Sequence, residues 1–241
     1  MTAQELIETT KDRIGSIGGA FYFQPETLAR GKELGLDGFR FYFLGRGGVL
    51  GDVEAPVIAS AFGYFQPGLV SKLWNTGRQK VPPAQARAEY LECCRAFGRS
   101  RFSELEDLDR FCDAAEVVVA ATHPAALALY AGHAAEPLAE DTPARAMQLA
   151  ATLRELRGST HLVAVIASGL PPAVAHAIRR PDDVSSFGYQ EAPAITDEDR
   201  QKLGRADALT DELLLRSYQG LSEDQQDALA AGAAAMAGAL G

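Results

Sequence analysis

The sequence lacks the apolar segments that mark exported and membrane-spanning proteins. Its first residues, MTAQELIETTKDRIG, are polar, helical in pattern and without the apolar core of a signal peptide. No uninterrupted apolar stretch approaches the roughly 18 to 20 residues that cross a bilayer. A cytoplasmic protein with no membrane partner is therefore expected.

Cysteine is scarce. Cys93, Cys94 and Cys112 are the only three, and their spacing contains no CxxC pair. Because free cysteines behave mostly as small buried hydrophobic residues, they are interpreted as reduced structural thiols. A catalytic or redox role is the alternative interpretation.

Recognisable catalytic motifs are also missing. The four histidines, His123, His133, His161 and His176, form no HExxH motif and lie near no carboxylate at metal-ligand spacing. The chain has no GxSxG elbow, SxxK pair or phosphate-binding loop. No metal site is predicted, any cofactor stays unknown, and each histidine is more readily explained as structural.

Strand patterns are few, whereas helix start signals recur. Residues 39–43, FRFYF, alternate with period two, and AEVVVAAT is rich in β-branched residues but lies within a longer helical pattern. Helix starts are indicated at Pro25, Pro82-Pro83, Ser103, Thr142-Pro143, Thr196 and Ser222. These signals predict an all-α protein with at most one small β-hairpin, near residues 205–217.

A glycine-rich stretch, GRGGVLG at residues 45–51, follows FRFYF. A dinucleotide site needs GxGxxG, and here the third glycine comes one residue too late. No acidic residue closes a second strand about twenty residues on. The stretch is therefore interpreted as a connection between helices, where glycine allows positive φ and close chain approach.

The composition is that of an ordinary globular protein with an uneven charge. The chain has 241 residues, 47% of them apolar, and a net charge of −9. Residues 1–101 hold 13 bases and 10 acids, whereas residues 102–241 hold 10 bases and 22 acids. We expect an N-terminal helical region over 1–101 and a C-terminal one over 102–241, either separate or forming one continuous domain.

Arginines and tyrosines stand among aromatic residues in the first third of the chain. An arginine flanked by Phe39 and Phe41 must reach water, pair with an acid or face a polar cavity. We predict that one pocket for an anionic small molecule is formed by Arg40, Tyr42, Arg46, Tyr64 and His161, with Tyr22 near its mouth. The alternative is that Glu26 or Asp52 neutralises the arginines inside the helical packing. If the protein is an enzyme, His161 is the candidate for proton transfer.

Residues 161–180, HLVAVIASGLPPAVAHAIRR, have the pattern of a helix-turn-helix. A first helix ends near Gly169, Leu170-Pro171 form the turn, and a second helix follows. Only His176, Arg179 and Arg180 of the second helix are suited to touch DNA. Residues 196–230, where a wing should lie, carry nine acids against four bases, which disfavours DNA as a partner.

Several motifs together resemble one family. They are Tyr22-Phe23-Gln24-Pro25-Glu26, the segment Arg40 to Gly51, Phe62 to Pro67, and Arg157 to His161 followed by AVIASGL. Over residues 15–235 the chain resembles the SalK-like proteins of actinobacteria, which are often found near natural-product genes. The resemblance implies a winged, MarR-like helix-turn-helix in the C-terminal half and supplies no catalytic residues.

Three functional hypotheses follow. The first is a small-molecule-binding protein on a MarR-like helical scaffold, with a regulatory role in natural-product or other metabolism. The second is a biosynthetic enzyme that uses a bound cofactor or the Arg/Tyr/His pocket. The third is a MarR-like DNA-binding regulator, and a homodimer is compatible with all three.

Overall fold

The computed structural model describes residues 1–241 and contains twelve α-helices and no strand. The helices are α1 (Ala3–Gly19), α2 (Pro25–Glu33), α3 (Gly38–Gly47), α4 (Ala55–Phe62), α5 (Pro67–Arg78), α6 (Pro83–Phe102), α7 (Leu108–Ala121), α8 (Ala128–Ala134), α9 (Thr142–Ala167), α10 (Pro172–Arg179), α11 (Asp197–Tyr218) and α12 (Glu223–Ala239). The predicted all-α fold is confirmed.

Half of the helices begin at a residue whose side chain caps the first turn. Thr2, Thr196 and Ser222 form capping boxes with the residue three positions later, and Asp141 caps α9 through the Ala144 amide. The start predicted at Ser103 is wrong. Ser103 instead follows the last residue of α6, and the next helix begins at Leu108.

Two segments with strand or hairpin character are helical. FRFYF lies in α3, because Asp37 caps the Arg40 amide and tertiary packing overrides the period-two pattern. Residues 205–217 lie inside α11, which runs unbroken from its capping box at Thr196. No hairpin forms there, so the helix-turn-helix has no β-wing.

The long helix α9 is the centre of the molecule. It packs against α1, α6, α7, α8 and α11. A core cluster of 44 buried apolar residues extends from Leu6 to Met236, with Trp74 and Phe111 among the fully buried side chains. The regions before and after residue 101 therefore share one core.

The glycines of GRGGVLG allow helices to approach closely. Gly45 lies in α3, where a Cβ atom would overlap the Tyr90 side chain of α6. Gly51 ends the segment with φ of +83°, a conformation that favours glycine. The segment is thus the end of α3 and a short 3-10 turn, and not an open loop.

The helix-turn-helix is formed by the end of α9, residues 168–171 and α10. The axes of α9 and α10 differ in direction by 116°, within the range usual for this motif. Gly169 adopts φ of +68°, its amide donates to the Ile166 carbonyl, and the Leu170 amide donates to the Val165 carbonyl. These two bonds form a Schellman motif, which stops α9 and turns the chain into α10.

A second, smaller core lies beneath this turn. It is formed by apolar residues of α9, the turn, α10 and the first half of α11, namely Ala164, Val165, Leu170, Ala175, Leu203 and Ala206. This cluster fixes α10 against α9 and α11. No single helix is long and apolar enough to cross a membrane, and α9 and α10 meet that criterion only when counted together across their bend.

Candidate functional site

A cleft of about 580 Å³ opens where the helix-turn-helix meets the body of the protein. Its basic lining residues are Lys11, Arg46, Arg154, Arg157, Arg179 and Arg180, whereas Asp12 is the one acidic residue in the lining. The aromatic lining residues are Tyr42, Phe62, Tyr64, Phe65 and Phe187, joined by His161 and His176. The cleft thus brings basic side chains together in a chain whose net charge is −9.

At its inner end the cleft is closed by a buried ion pair between α3 and α9. Arg46 donates from Nε and Nη2 to the two oxygens of Glu155, at 2.8 Å each, in a bidentate pair. The Tyr42 hydroxyl accepts from Arg46 Nη1 at 2.6 Å. Burial alone would raise the pKa of Glu155, but the Arg46 guanidinium holds that pKa well below its usual range. Glu155 is therefore a carboxylate.

Tyr42 and Arg46 face the cleft together because they are four residues apart on α3. The Arg46 guanidinium lies 4.6 Å from the centroid of the Phe62 ring, in a cation–π arrangement. The aromatic ring, the tyrosine hydroxyl and Glu155 fix the arginine in one orientation. Its charge is consequently preorganised at the inner wall.

Helix α9 lines the length of the cleft with one stripe of side chains. Arg154, Arg157 and His161 follow at steps of three and four residues, so they share a helix face. Arg154 donates to the Tyr22 hydroxyl at 2.9 Å and to Glu155 at 3.1 Å. Arg157 lies 3.6 Å from Asp211, and its buried Nε has no hydrogen-bond partner. The stripe is thus incompletely neutralised.

His161 is held by a threonine of α11. Its Nδ1 atom lies 2.9 Å from the Thr210 hydroxyl, which itself donates to the Ala206 carbonyl at 2.6 Å. Burial lowers the pKa of His161 to about 4, against the opposing effect of Asp207, so the ring is neutral at pH 7. Tyr64 stacks on it with ring centroids 6.4 Å apart, and the buried Tyr64 hydroxyl has no partner.

The outer end of the cleft belongs to the helix-turn-helix. His176 of α10 stacks on Phe187 at 3.6 Å between centroids, and Phe187 stacks on Phe65 at 3.9 Å. Arg179 forms an ion pair with Asp207, which ties α10 to α11. Arg180 is largely exposed and lies 3.8 Å from Asp183. The residues suggested for DNA contact therefore line the same cleft as the predicted pocket residues.

Four of the predicted pocket residues line this cleft, and two lie elsewhere. Tyr42, Arg46, Tyr64 and His161 are in its lining. Arg40 is not, because positions 40 and 42 of the continuous helix α3 point in different directions. Arg40 pairs with Asp37 and donates to Thr76 instead.

Tyr22 lies behind the ion pair instead of at the mouth of the cleft. Its hydroxyl donates to Glu155 at 3.0 Å, and its ring lines a small cavity of about 20 Å³, the size of one water molecule. The buried hydroxyl of Tyr90 and Nε2 of His133 in that cavity have no protein partner.

The partners suggested for the arginines are also different from those observed. Asp52 pairs with Arg78, and Glu26 forms no ion pair. Arg46 is neutralised by Glu155, 109 residues later in the chain. The missed residues are Glu155, Arg154 and Arg157, and the available signal was a set of charges at helical spacing inside the apolar stretch LAATLRELRGSTHLVAVIA.

The cysteines lie away from the cleft. All three are free, and Cys94 and Cys112 are buried. Burial raises the pKa of Cys112 to about 12 and that of the half-buried Cys93 to about 11. Both thiols are therefore protonated at neutral pH, as expected for structural residues.

The order α9, turn and α10 at 116° defines a helix-turn-helix protein. A model of the helix-turn-helix family matches residues 7–199, from the first turns of α1 to the start of α11, and the chain belongs to that family. No curated protein and no solved structure matches the chain.

Proposed function

We propose that this protein binds a small molecule with an anionic group in the cleft, in a regulatory role in natural-product or other metabolism. The observation that carries the proposal is the charge of the lining, six Lys and Arg against one acid, in an otherwise acidic chain. The resemblance to SalK-like proteins with a MarR-like scaffold supports the regulatory context.

The arginines of α9 supply the charge that a ligand would neutralise. Glu155 contacts both Arg46 and Arg154, and Asp211 contacts both Lys11 and Arg157. Glu155 therefore leaves one positive charge in excess at the inner wall, whereas Lys11 also pairs with Glu8, Arg179 with Asp207 and Arg180 with Asp183. Guanidinium groups match carboxylate or phosphate in a bidentate way, so an acid of either kind is the expected ligand.

The aromatic walls supply the apolar contacts. Phe62, Phe65 and Phe187 present rings to a cleft whose volume is in the range of small-molecule sites. A ligand with a flat apolar body and an acidic end would place the body against these rings and the acid against α9. Because α10 contributes to the lining, such a ligand would also contact the helix-turn-helix.

The same residues support the enzyme hypothesis less well than they support binding. A neutral imidazole whose pKa is about 4 accepts a hydrogen bond but is a weak base at neutral pH. No group of three or more His, Cys, Asp or Glu side chains is placed to hold a metal ion. Binding is therefore the function for which the cleft is best equipped.

Thermal unfolding with 2-naphthoate and with the uncharged 2-naphthamide tests the proposal. The acid should stabilise the protein and the amide should not, since a ligand at 100 times its Kd adds about 2.7 kcal/mol. Naphthyl phosphate distinguishes a phosphate-binding from a carboxylate-binding site. The stabilisation should be lost in Arg154→Gln/Arg157→Gln.

Arg145→Gln is the matched control. Arg145 lies on the same helix, has similar exposure and pairs with Glu116 outside the cleft. Equal stabilisation by acid and amide, or an unchanged response in the Arg154→Gln/Arg157→Gln protein, would contradict the proposal. Arg46 is unsuitable for this test because its removal would take the bidentate partner from the buried Glu155.

A further inference from the structure

We infer that the cleft selects acids that also carry a hydrogen-bond donor, a hydroxyl or N–H group, which His161 Nε2 accepts. This inference rests on the proposed function and names the ligand class more narrowly. It depends on the tautomer of His161, which the neighbouring helix α11 determines.

The Thr210 hydroxyl has a single hydrogen, and that hydrogen is already used. Thr210 donates to the Ala206 carbonyl at 2.6 Å, as a helical threonine does toward the residue four positions earlier. The hydroxyl can therefore only accept from His161 Nδ1, at 2.9 Å. Nδ1 must carry the proton, and in the neutral ring Nε2 then has a free lone pair.

Nε2 of His161 is also accessible from the cleft. No protein group is within hydrogen-bonding distance of it, and unlike Nε2 of His133 and of His176 it is not buried. The charged groups around the ring are Asp207 and Asp211 of α11, Arg157 of α9 and Arg179 of α10. None of them supplies a donor to Nε2.

Tyr64 forms the wall of the cleft next to His161. Its ring stacks on His161 at an interplanar angle of 22°, and its hydroxyl, buried near Arg157 and Arg179, has no protein partner. Because the hydroxyl is buried, Tyr64 contributes its ring to the wall of the cleft and not a hydrogen bond to a ligand. The combination of arginines and a bare imidazole nitrogen fits an acid that carries a hydroxyl or N–H donor.

Matched probes test the inference. 6-Hydroxy-2-naphthoate and 6-methoxy-2-naphthoate share the acid and the ring, but only the hydroxy compound can donate. In the wild-type protein we expect the hydroxy acid to bind about five- to tenfold more tightly in calorimetric titration, the value of one hydrogen bond. In His161→Phe, which keeps the stacked ring, the two affinities should differ by less than about twofold.

Thr210→Val provides an independent variant. Without the threonine oxygen, only the Asp207 carboxylate, 3.8 Å away, still faces Nδ1, so the constraint on its proton is weakened and the preference for the hydroxy acid should fall. The nitrogen chemical shifts of His161 in ¹⁵N-labelled wild-type protein report the tautomer directly and need no ligand. We expect protonated Nδ1 in the wild type and a shift toward protonated Nε2 in Thr210→Val.

The outcomes separate this inference from the proposed function. Equal affinities for the two acids, or a protonated Nε2 in the wild type, would refute the selection for a donor group. Neither result would contradict the proposed binding of an anion in the cleft. Failure of every naphthoate to bind would overturn both. Tighter binding of the hydroxy acid that persists in His161→Phe would assign the acceptor to another residue and refute the role of His161.

Discussion

Glu155 is the residue on which the inner wall of the cleft depends. It accepts two hydrogen bonds from Arg46 and further ones from Tyr22 and Arg154, and its side chain is 1% exposed. A carboxylate with this many donors can remain ionised without water. Removing it would leave two arginines in the same place without their common partner.

We predict that Glu155→Ala lowers the free energy of unfolding by about 3 to 5 kcal/mol, the usual cost of breaking a buried ion pair. Urea denaturation measures this loss of stability. Glu116→Ala is the matched control, because Glu116 pairs with Arg145 near the surface. This substitution should lower the free energy of unfolding by at most about 1 kcal/mol. A loss in Glu155→Ala as small as in the control would contradict this role.

The same carboxylate gives a pH dependence that Glu155→Gln should remove. Since the folded state lowers its pKa, the carboxylate stabilises the protein above its ordinary pKa of about 4.5, and this stability is lost as the pH falls. Between pH 5 and pH 3 the wild type should therefore lose stability more steeply than Glu155→Gln.

Among individual residues, the sequence identified the side chains that line the cleft better than the acids that pair with them. Tyr42, Arg46 and Tyr64 could be selected because polar side chains amid aromatic residues need a special environment, and His161 because its ordinary pKa is near neutral. Glu155 could not be paired with Arg46, since 109 residues separate them and the contact exists only after α3 packs near α9. Arg40, predicted from its position between Phe39 and Phe41, would face the cleft with Tyr42 only if the segment were bent, and the continuous helix α3 places it beside Asp37 and Thr76 instead.

Among the elements, the turn between α9 and α10 has the most specific geometry. Gly169 holds a left-handed conformation, and a Cβ atom there would meet nothing within 4 Å. A larger residue would therefore be disfavoured by the backbone alone. The turn and α10 were predictable from Gly169 and Pro171-Pro172, whereas the length of α9 and the helical nature of 205–217 depended on packing.

Gly169→Ala should cost about 1 to 2 kcal/mol, the penalty of the left-handed conformation for an L-residue. Gly204→Ala is the matched control: Gly204 is exposed within α11, with equally open space around it, and there alanine should stabilise the helix by about 0.5 to 1 kcal/mol. Opposite signs in thermal unfolding are expected. A stabilising Gly169→Ala would mean that this Schellman turn does not form.

The whole molecule combines a helix-turn-helix with an acidic surface. The chain has a net charge of −9, and the C-terminal region that contains α10 is its acidic part. At the start of α10, Pro172 and Val174 are half-buried and apolar, while Arg179 is already paired with Asp207. Affinity for DNA rests mainly on neutralising phosphates, and little free positive charge is available on this face.

We predict no specific binding with Kd near 10⁻⁸ M or tighter to the gene's own upstream DNA at about 150 mM salt, measured by fluorescence anisotropy. Nanomolar binding that disappears in Arg179→Ala/Arg180→Ala would refute this. Arg99→Ala/Arg101→Ala, which removes two arginines from α6, is the control for a general effect of charge.

Helix α9 belongs to both cores, and this continuity limits how the molecule can respond to a ligand. The first half of α9 is anchored among α1, α6 and α7, while Ala164 and Val165 near its end hold α10. Arg154, Arg157 and His161 lie on the span between these anchors. One continuous helix therefore joins the two cores, with no linker between the body of the protein and the helix-turn-helix. Beyond Gly169, α10 is held by the second core and by the Arg179–Asp207 ion pair, so a ligand in the cleft contacts a motif that is already fixed to α11.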